Sequence, residues 1–333
     1  MINALKTVRG AFHCAALAAA VSLAATPVCA QEKALAEVTY LFPAPANAIA
    51  FAPFMLAQHK GYYKQAGLEP KFVSVKGGAD VGKQLGAGNG QLGGALGDTP
   101  LILRNNGIPV KGVALLGGQA LHQLMTRADR NIKTPADLKS RTLTVVAYQD
   151  TSFYAALSVI GQAKLTKDDV NIQAAGPTGI WQQVALGKAD GMIGAPEMGA
   201  FAEEEGTPLK WESTGTYFPG MAQAILASDD MIAKNPDLIR KFVAATLKAV
   251  AEVRDDPATA AKEYVEAVPS YKGREAMVQK VLSYYAKNVY PGQARLGQFS
   301  ADRVKALQDF YLTQGIIQKR EPTEALFTNQ FVQ

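Results

Sequence analysis

Cysteine is nearly absent. The 333 residues contain two, Cys14 and Cys29, and both fall within the first 30 positions. From residue 31 onward there is no thiol to act as nucleophile, to ligate zinc or to hold an iron–sulfur cluster. Histidine is scarce as well. Of the three, His13 lies in the same opening stretch, while His59 and His122 are far apart, so no His-rich metal site is expected. No Gly-x-x-x-x-Gly-Lys-Ser/Thr phosphate loop occurs. Basic and acidic residues are interspersed without a basic block, which argues against a nucleic-acid footprint. No uncharged apolar stretch after residue 30 approaches membrane-spanning length.

The chain opens with the pattern of an export signal. Lys6 and Arg9 precede the uncharged apolar run 11–25, and Val28, Cys29 and Ala30 place small residues at a cleavage position. Residues 1–30 are therefore expected to be a signal peptide cleaved near Ala30. Cys14 follows Phe12-His13 and Cys29 follows Pro27-Val28, so neither has the small neighbour of an acylated cysteine. Loss of Lys6 and Arg9 takes the net charge from +5 to +3. About 300 remaining residues suffice for two lobes that hold together without disulfides.

Strand-like and helix-like segments then alternate. Residues 38–42, 71–75 and 92–96 read as strands, with helices expected over 53–60 and 80–87. Pro53 stands at a helix start and Gly61 past its end. This βαβαβ rhythm predicts an α/β domain with a mostly parallel sheet. A second unit repeats it. Strands are expected at 143–147, from 170 and at 191–194, and helices at 152–163 and 180–187. Helix starts are read at Thr134-Pro135-Ala136-Asp137 and Thr166-Lys167-Asp168-Asp169. Residues 84–91 (QLGAGNGQ) echo residues 183–190 (QVALGKAD) at the same place in both units, which points to two related lobes. After about residue 220 the pattern turns helical, with starts at Asn235-Pro236-Asp237, Asp256-Pro257 and Ser300-Ala301-Asp302.

Four segments in order carry a family resemblance: Asn47 to Pro53 (NAIAFAP), Gly61 to Leu68 (GYYKQAGL), Gly77-Gly78-Ala79-Asp80, and Ile132 to Lys139 (IKTPADLK). Through them the chain resembles periplasmic solute-binding proteins of ABC importers, in the class that binds sulfonates, nitrate and the thiamine-pyrimidine precursor. The resemblance runs from about residue 37 to 265. It implies the type II two-lobed periplasmic binding protein fold, each lobe a mostly parallel sheet flanked by helices, with a ligand cleft between. Lobe 1 would be residues 31–118 plus 220–333, and lobe 2 residues 119–219. It further implies a periplasmic monomer without a cofactor, handing a small solute to a permease in the inner membrane with its ATPase. Two enzymes share the fold, one with a cysteine-rich iron-binding motif and one with a cysteine nucleophile. Residues 31–333 offer neither.

In open α/β sheets ligands sit beyond the carboxyl ends of the strands. That rule selects the first loop with Asn47 and Phe51, the turn with Gly78 and Asp80, and Asp98-Thr99 after the third strand. In the second unit it selects Tyr148, Thr151, Ser152 and Tyr154, then Trp181, and Glu197 with Tyr217. Asp80, Thr151 and Ser152 are equally good helix caps. Phe51, Tyr148, Tyr154, Trp181 and Tyr217 are candidate flat walls. Glu197 can accept from a ring N–H or an amine, with Asp98 its counterpart. His122 reads more readily as structural. Arg104, Arg127, Arg130 and Arg141 read as surface, which leaves no arginine in the cleft loops. A dense anion usually attracts a bidentate arginine. A planar heteroaromatic such as a thiamine-pyrimidine precursor is therefore the leading expectation, ahead of an aliphatic sulfonate, nitrate or an aromatic carboxylate. Where relatives often carry a tryptophan, the first loop here reads Phe42-Pro43-Ala44-Pro45.

Overall fold

The computed structural model describes residues 34–148 and 150–332, so the proposed signal peptide lies outside the described residues. Ten strands make two sheets. β1 (Ala36–Phe42), β2 (Leu68–Ser74), β3 (Leu92–Leu96) and β4 (Val110–Leu115) precede β5 (Gln123–Arg127), β6 (Thr142–Val145), β7 (Asn171–Ala174), β8 (Gly191–Gly194), β9 (Leu209–Ser213) and β10 (Gln223–Ser228). The sheet orders are β2-β1-β3-β10-β4 and β7-β6-β8-β5-β9. Each sheet has four strands running one way and one against them. β10 is antiparallel to β3 and β4, and β5 is antiparallel to β8 and β9. The chain crosses between sheets twice, through residues 116–122 and 214–222, and the reversed strand in each sheet is the one that starts just after a crossing.

The first sheet is held by aromatic packing. Tyr40 and Phe42 alternate inward along β1, and Tyr40 lies 5.2 Å from Phe242 in a stacked arrangement. Phe242 also stacks on Tyr63 at 4.8 Å. It belongs to the long helix Pro236–Asp255, whose buried residues Ile239, Phe242, Val243, Thr246, Ala249, Val250 and Val253 form one face. Glycine in β3 has a direct reason. A Cβ on Gly93 would come 2.5 Å from Val81, so only glycine lets the helix Gly77–Gly86 lie this close to the sheet. Pro70 sits in β2, an edge strand, where a missing N–H is tolerated.

Several expectations need correction. Thr166 to Asp169 begins no helix. Asp169 accepts from the Thr166 N–H at 3.0 Å and hydroxyl at 2.9 Å, but the local box closes a turn and the chain enters β7. Thr134 to Asp137 forms its box on a single 3-10 turn, Pro135–Leu138. β10 interrupts the region read as helical after residue 220. Arg104 and Arg127, read as surface, have side chains only 14% and 16% exposed, paired with Asp229 and Asp129 respectively.

Arg303 joins the two crossings. Its guanidinium donates to the carbonyls of Gly118 and Gly220, one on each crossing segment. The crossings also bond to each other: Leu121 N–H to the Met221 carbonyl at 3.1 Å, and Thr214 hydroxyl to the His122 carbonyl at 2.8 Å. On another side, helix Glu275–Asn288 reaches the second sheet's elements. Tyr284 donates to Gln123 at 2.7 Å and Tyr285 to Glu197 at 3.0 Å.

Candidate functional site

A cavity of about 240 Å³ lies between the two sheets. Its walls come from the carboxyl ends of parallel strands. From the first sheet these are the loop after β1 (Pro43 to Phe51), Gly77-Gly78 after β2, and Ala95-Leu96 at the end of β3. From the second they are Val146, Asp150 and Thr151 after β6, Pro177, Thr178 and Trp181 after β7, and Ala195, Glu197, Met198 and Phe201 after β8. Leu121 and His122 on one crossing, Gln223 at the end of the other, and Tyr271 complete it.

Six of the sequence-selected residues line this cavity: Asn47, Phe51, Gly78, Thr151, Trp181 and Glu197. The other seven are placed elsewhere. Asp80 folds back on the start of its own helix, accepting from Lys76 N–H at 3.1 Å. Asp98 is 1% exposed and accepts from the Tyr311 hydroxyl at 2.5 Å. Thr99 is buried beside it, behind Gly78. Ser152 is fully buried, donating to Asp150 at 2.8 Å and accepting from Val146 N–H at 3.0 Å. Tyr148 is 58% exposed and donates to the Ile172 carbonyl. Tyr154 turns toward Tyr311, with ring centroids 6.4 Å apart. Tyr217 ends the 3-10 turn Thr214–Thr216 on the crossing.

Sequence reasoning set His122 aside as structural and did not single out Asp150, Thr178, Phe201, Gln223 or Tyr271, all of which line the cavity. Asp150 carried a signal, because it precedes a helix and follows a strand. Its Oδ1 caps helix Thr151–Gln162 through Ser152 N–H at 3.0 Å. Its Oδ2 reaches across to the other lobe, where a Cβ on Gly77 would lie 3.2 Å away. Gly77 has φ of 82°, a left-handed conformation that favours glycine, so both backbone and space require it there.

Burial sets the electrostatics. The imidazole of His122 is lowered to about 4 by desolvation, partly opposed by Asp150, so it is neutral at neutral pH with one donor and one acceptor nitrogen. Desolvation raises Glu197, against the hydrogen bonds it accepts from its own N–H, Tyr285 and Ala50 N–H. Asp98 is raised to about 6 by burial, opposed by Tyr311. No Arg or Lys side chain is among the described residues that line the cavity. Arg274 lies over the rings of Phe201 and Tyr271, 5.1 and 5.8 Å from their centroids, and pairs with Glu204.

Helix starts at the cleft are satisfied in part within the protein. Gly77 N–H donates to Pro43 carbonyl, Gly176 N–H to Val146 carbonyl, and Ser152 N–H to Asp150. Proline occupies the first turn at Pro177 and Pro196 and offers no donor. Among the described residues no group of three His, Cys, Asp or Glu is placed to hold a metal ion, and no helix is long and apolar enough to cross a membrane.

Residues 48–260 match the family described as NMT1/THI5 like. The chain belongs to that family. Among its relatives is the riboflavin-binding protein RibY of Chloroflexus aurantiacus, 26% identical over 300 residues that cover 85% of this chain and 83% of the relative. Another is a 4-amino-5-hydroxymethyl-2-methylpyrimidine phosphate synthase of Saccharomyces cerevisiae, 25% identical over 72% of this chain and 74% of that one. Among solved structures, the alkanesulfonate-binding protein SsuA of Xanthomonas axonopodis pv. citri, bound to MOPS, superposes with a TM-score of 0.69. It is 19% identical, over 90% of this chain and all of SsuA. The family's fold here is therefore the two-lobed periplasmic binding protein fold, with two mixed five-stranded sheets flanked by helices.

Proposed function

We propose that this protein is the substrate-binding component of an ABC importer, exported to the periplasm, where it closes on a small planar heteroaromatic solute and presents it to an inner-membrane permease with its ATPase. It works as a monomer and without a cofactor. Residues 31–118 with 220–333 act as one jaw and residues 119–219 as the other, hinged at the two crossings. A solute that touches both jaws favours the closed form by its differential affinity.

The observation that carries this reading is the lining itself. Aromatic side chains from both lobes, Phe51 from one and Trp181 and Phe201 from the other, line one cavity in which no Arg or Lys is among the described residues. Flat apolar walls with a few polar groups suit a ring-shaped solute. A sulfonate, nitrate or carboxylate asks for positive charge or for free helix N–H groups, and no Arg or Lys side chain is among the described residues of the lining. The volume, about 240 Å³, lies just below the roughly 300–1,000 Å³ usual for ligand pockets, favouring a solute of one or two rings. The family includes a pyrimidine synthase, but no cysteine lies in residues 31–333 to serve as nucleophile or metal ligand. We read the cavity as binding without turnover.

The test is a thermal-shift screen of residues 31–333 against pyrimidines, flavins, sulfonates, nitrate and aromatic carboxylates, with calorimetry on each hit. A midpoint raised by heteroaromatics, with the compound recovered unaltered, is the expected result. Chemical conversion of the hit establishes an enzyme instead, and a response confined to sulfonates or nitrate moves the solute class.

A further inference from the structure

The charge of the cavity is opposite to that of the chain. The sequence carries a net +5, yet the ionisable side chains lining the cavity are Asp150, Glu197, His122 and Tyr271. Both carboxylates come from the second lobe. They enter on different loops, after β6 and after β8, and each is fixed before any solute arrives. Asp150 is anchored through Oδ1 by Ser152 N–H at 3.0 Å and Ser152 hydroxyl at 2.8 Å. That leaves Oδ2, which has no hydrogen-bond partner among the described residues and faces Gly77 across the cleft. Glu197 is 4% exposed and is anchored through Oε2 by Tyr285 at 3.0 Å.

Other groups do not neutralise them. Around Asp150 stand the neutral His122 and the acidic or phenolic Asp98, Tyr154 and Tyr311. Around Glu197 stand Tyr264, Tyr271, Tyr285 and Tyr290, all phenols raised mainly by burial. Arg274 lies over the Phe201 and Tyr271 rings, is paired with Glu204 and is not among the described residues of the lining. Glu197 is buried and Asp150 half-buried, and closing a solute over both without a cation is costly unless the solute itself brings positive charge and donors.

From this we infer that the solute is bound as a cation, a heteroaromatic base protonated on a ring or exocyclic nitrogen, whose N–H groups are read by Asp150 Oδ2 and Glu197 while Phe51, Trp181 and Phe201 supply the walls. The inference rests on the solute-binding reading and narrows it from planar compounds to basic ones. Proton balance is simple: at a pH above the free base's own pKa, binding takes up one proton from solution onto the solute nitrogen, and no covalent bond changes. Neutral flavins and anionic sulfonates lack that proton, so the same lining discriminates against both.

The experiment is isothermal calorimetry on residues 31–333 with 4-amino-5-hydroxymethyl-2-methylpyrimidine as the basic probe, riboflavin as the neutral one and ethanesulfonate as the anionic one. Each is titrated in buffers of different ionisation heat between pH 5.5 and 8.5. The expected result is binding of the pyrimidine with uptake of close to one proton at the alkaline end, and an affinity that falls as pH rises. D150N and E197Q should each weaken it by roughly tenfold to a hundredfold, the range for a hydrogen bond to a charged group, and reduce the proton uptake. Both variants keep their local anchors, since Asn still caps the helix and Gln still accepts from Tyr285, and a circular-dichroism melt checks their folding. Binding of riboflavin or ethanesulfonate in preference to the pyrimidine, or pyrimidine binding with no proton uptake and full strength in D150N, overturns the cation inference and leaves the solute-binding reading intact. Silence from all three probes also overturns it, and silence across the wider screen removes the solute-binding reading with it.

Discussion

The two lobes share a strand order and differ in what fills and surrounds it. The first sheet is backed by a cluster of large rings, Tyr40, Phe42, Phe54, Tyr63 and Phe242. One side of the second rests on a smaller set, Met125, Ile180, Val184, Met192 and Ala202. The polarity of the site is divided the other way. Lobe 1 offers Asn47, Gln223, the Tyr271 phenol and apolar loops to the cavity, while lobe 2 brings both carboxylates, His122, Thr178 and Trp181. A heavily packed platform and a lighter jaw that carries the recognition groups is the division of labour this suggests. Stability and specificity can then be altered separately.

The sharpest way to break that comparison is at the ring cluster. Phe242→Ala should lower stability by about 3–5 kcal/mol, because Phe242 packs against three other aromatic rings and leaves a cavity the sheet cannot close. Met192→Ala in the lighter lobe should cost less, about 2–3 kcal/mol. Urea titration of both variants measures the difference, and equal losses would contradict the division. Tyr285→Phe is next. It leaves Glu197 Oε2 without its hydroxyl donor, and stability should fall by about 1.5–3 kcal/mol in the same urea titration, the range for a hydrogen bond to a charged group. Trp181→Ala should weaken binding by about 1–3 kcal/mol as one wall is lost, with the melting midpoint of the solute-free protein little changed. Unaltered affinity in calorimetry would take Trp181 out of the site.

The smallest effect is one of sign. Asp98 is raised to about 6, so its folded form binds the proton more tightly, and its stabilising contribution is lost as pH climbs from about 4 to 6. His122 is lowered to about 4, so protonation favours the unfolded chain, and stability is gained over the range from about 4 to 6.5. The two trends oppose each other. Asp98→Asn should leave a stability that rises with pH across that interval, and His122→Gln one that falls. Chemical denaturation at pH 4.5 and 6 distinguishes the slopes.

Legibility from sequence followed the range of the interactions involved. Helices that begin at Pro236, Pro257 and Ala301 announce themselves through caps and first-turn residues, and β3 and β8 stand between clear turn glycines. β5, β9 and β10 were illegible because their pairing is with strands far away in the chain, and polar members such as Gln123, Lys210 and Gln223 blur any alternation. The same reason hid part of the site. Thr151, Trp181 and Glu197 follow strands that the pattern revealed. His122 and Gln223 line the cavity only because two crossings run side by side, which no local signal states. Asp98 and Ser152 satisfied the rule for strand ends, yet each is buried and bonded to a neighbour, Tyr311 and Asp150 respectively.

The placement of β10 has a consequence for the order in which the molecule can be built. Every strand of the second sheet lies between Gln123 and Ser213, so that lobe can finish from a contiguous stretch. In the first sheet, β4 pairs with no strand but β10 and otherwise meets only single bridges from Gly297 and Phe327. A chain emerging from its N-terminus thus holds β4 unpaired until the entire second lobe has followed it. Long-range closure of this kind is slow and leaves an open strand edge exposed in the meantime. The piece of sequence that completes the platform arrives after the jaw is already made.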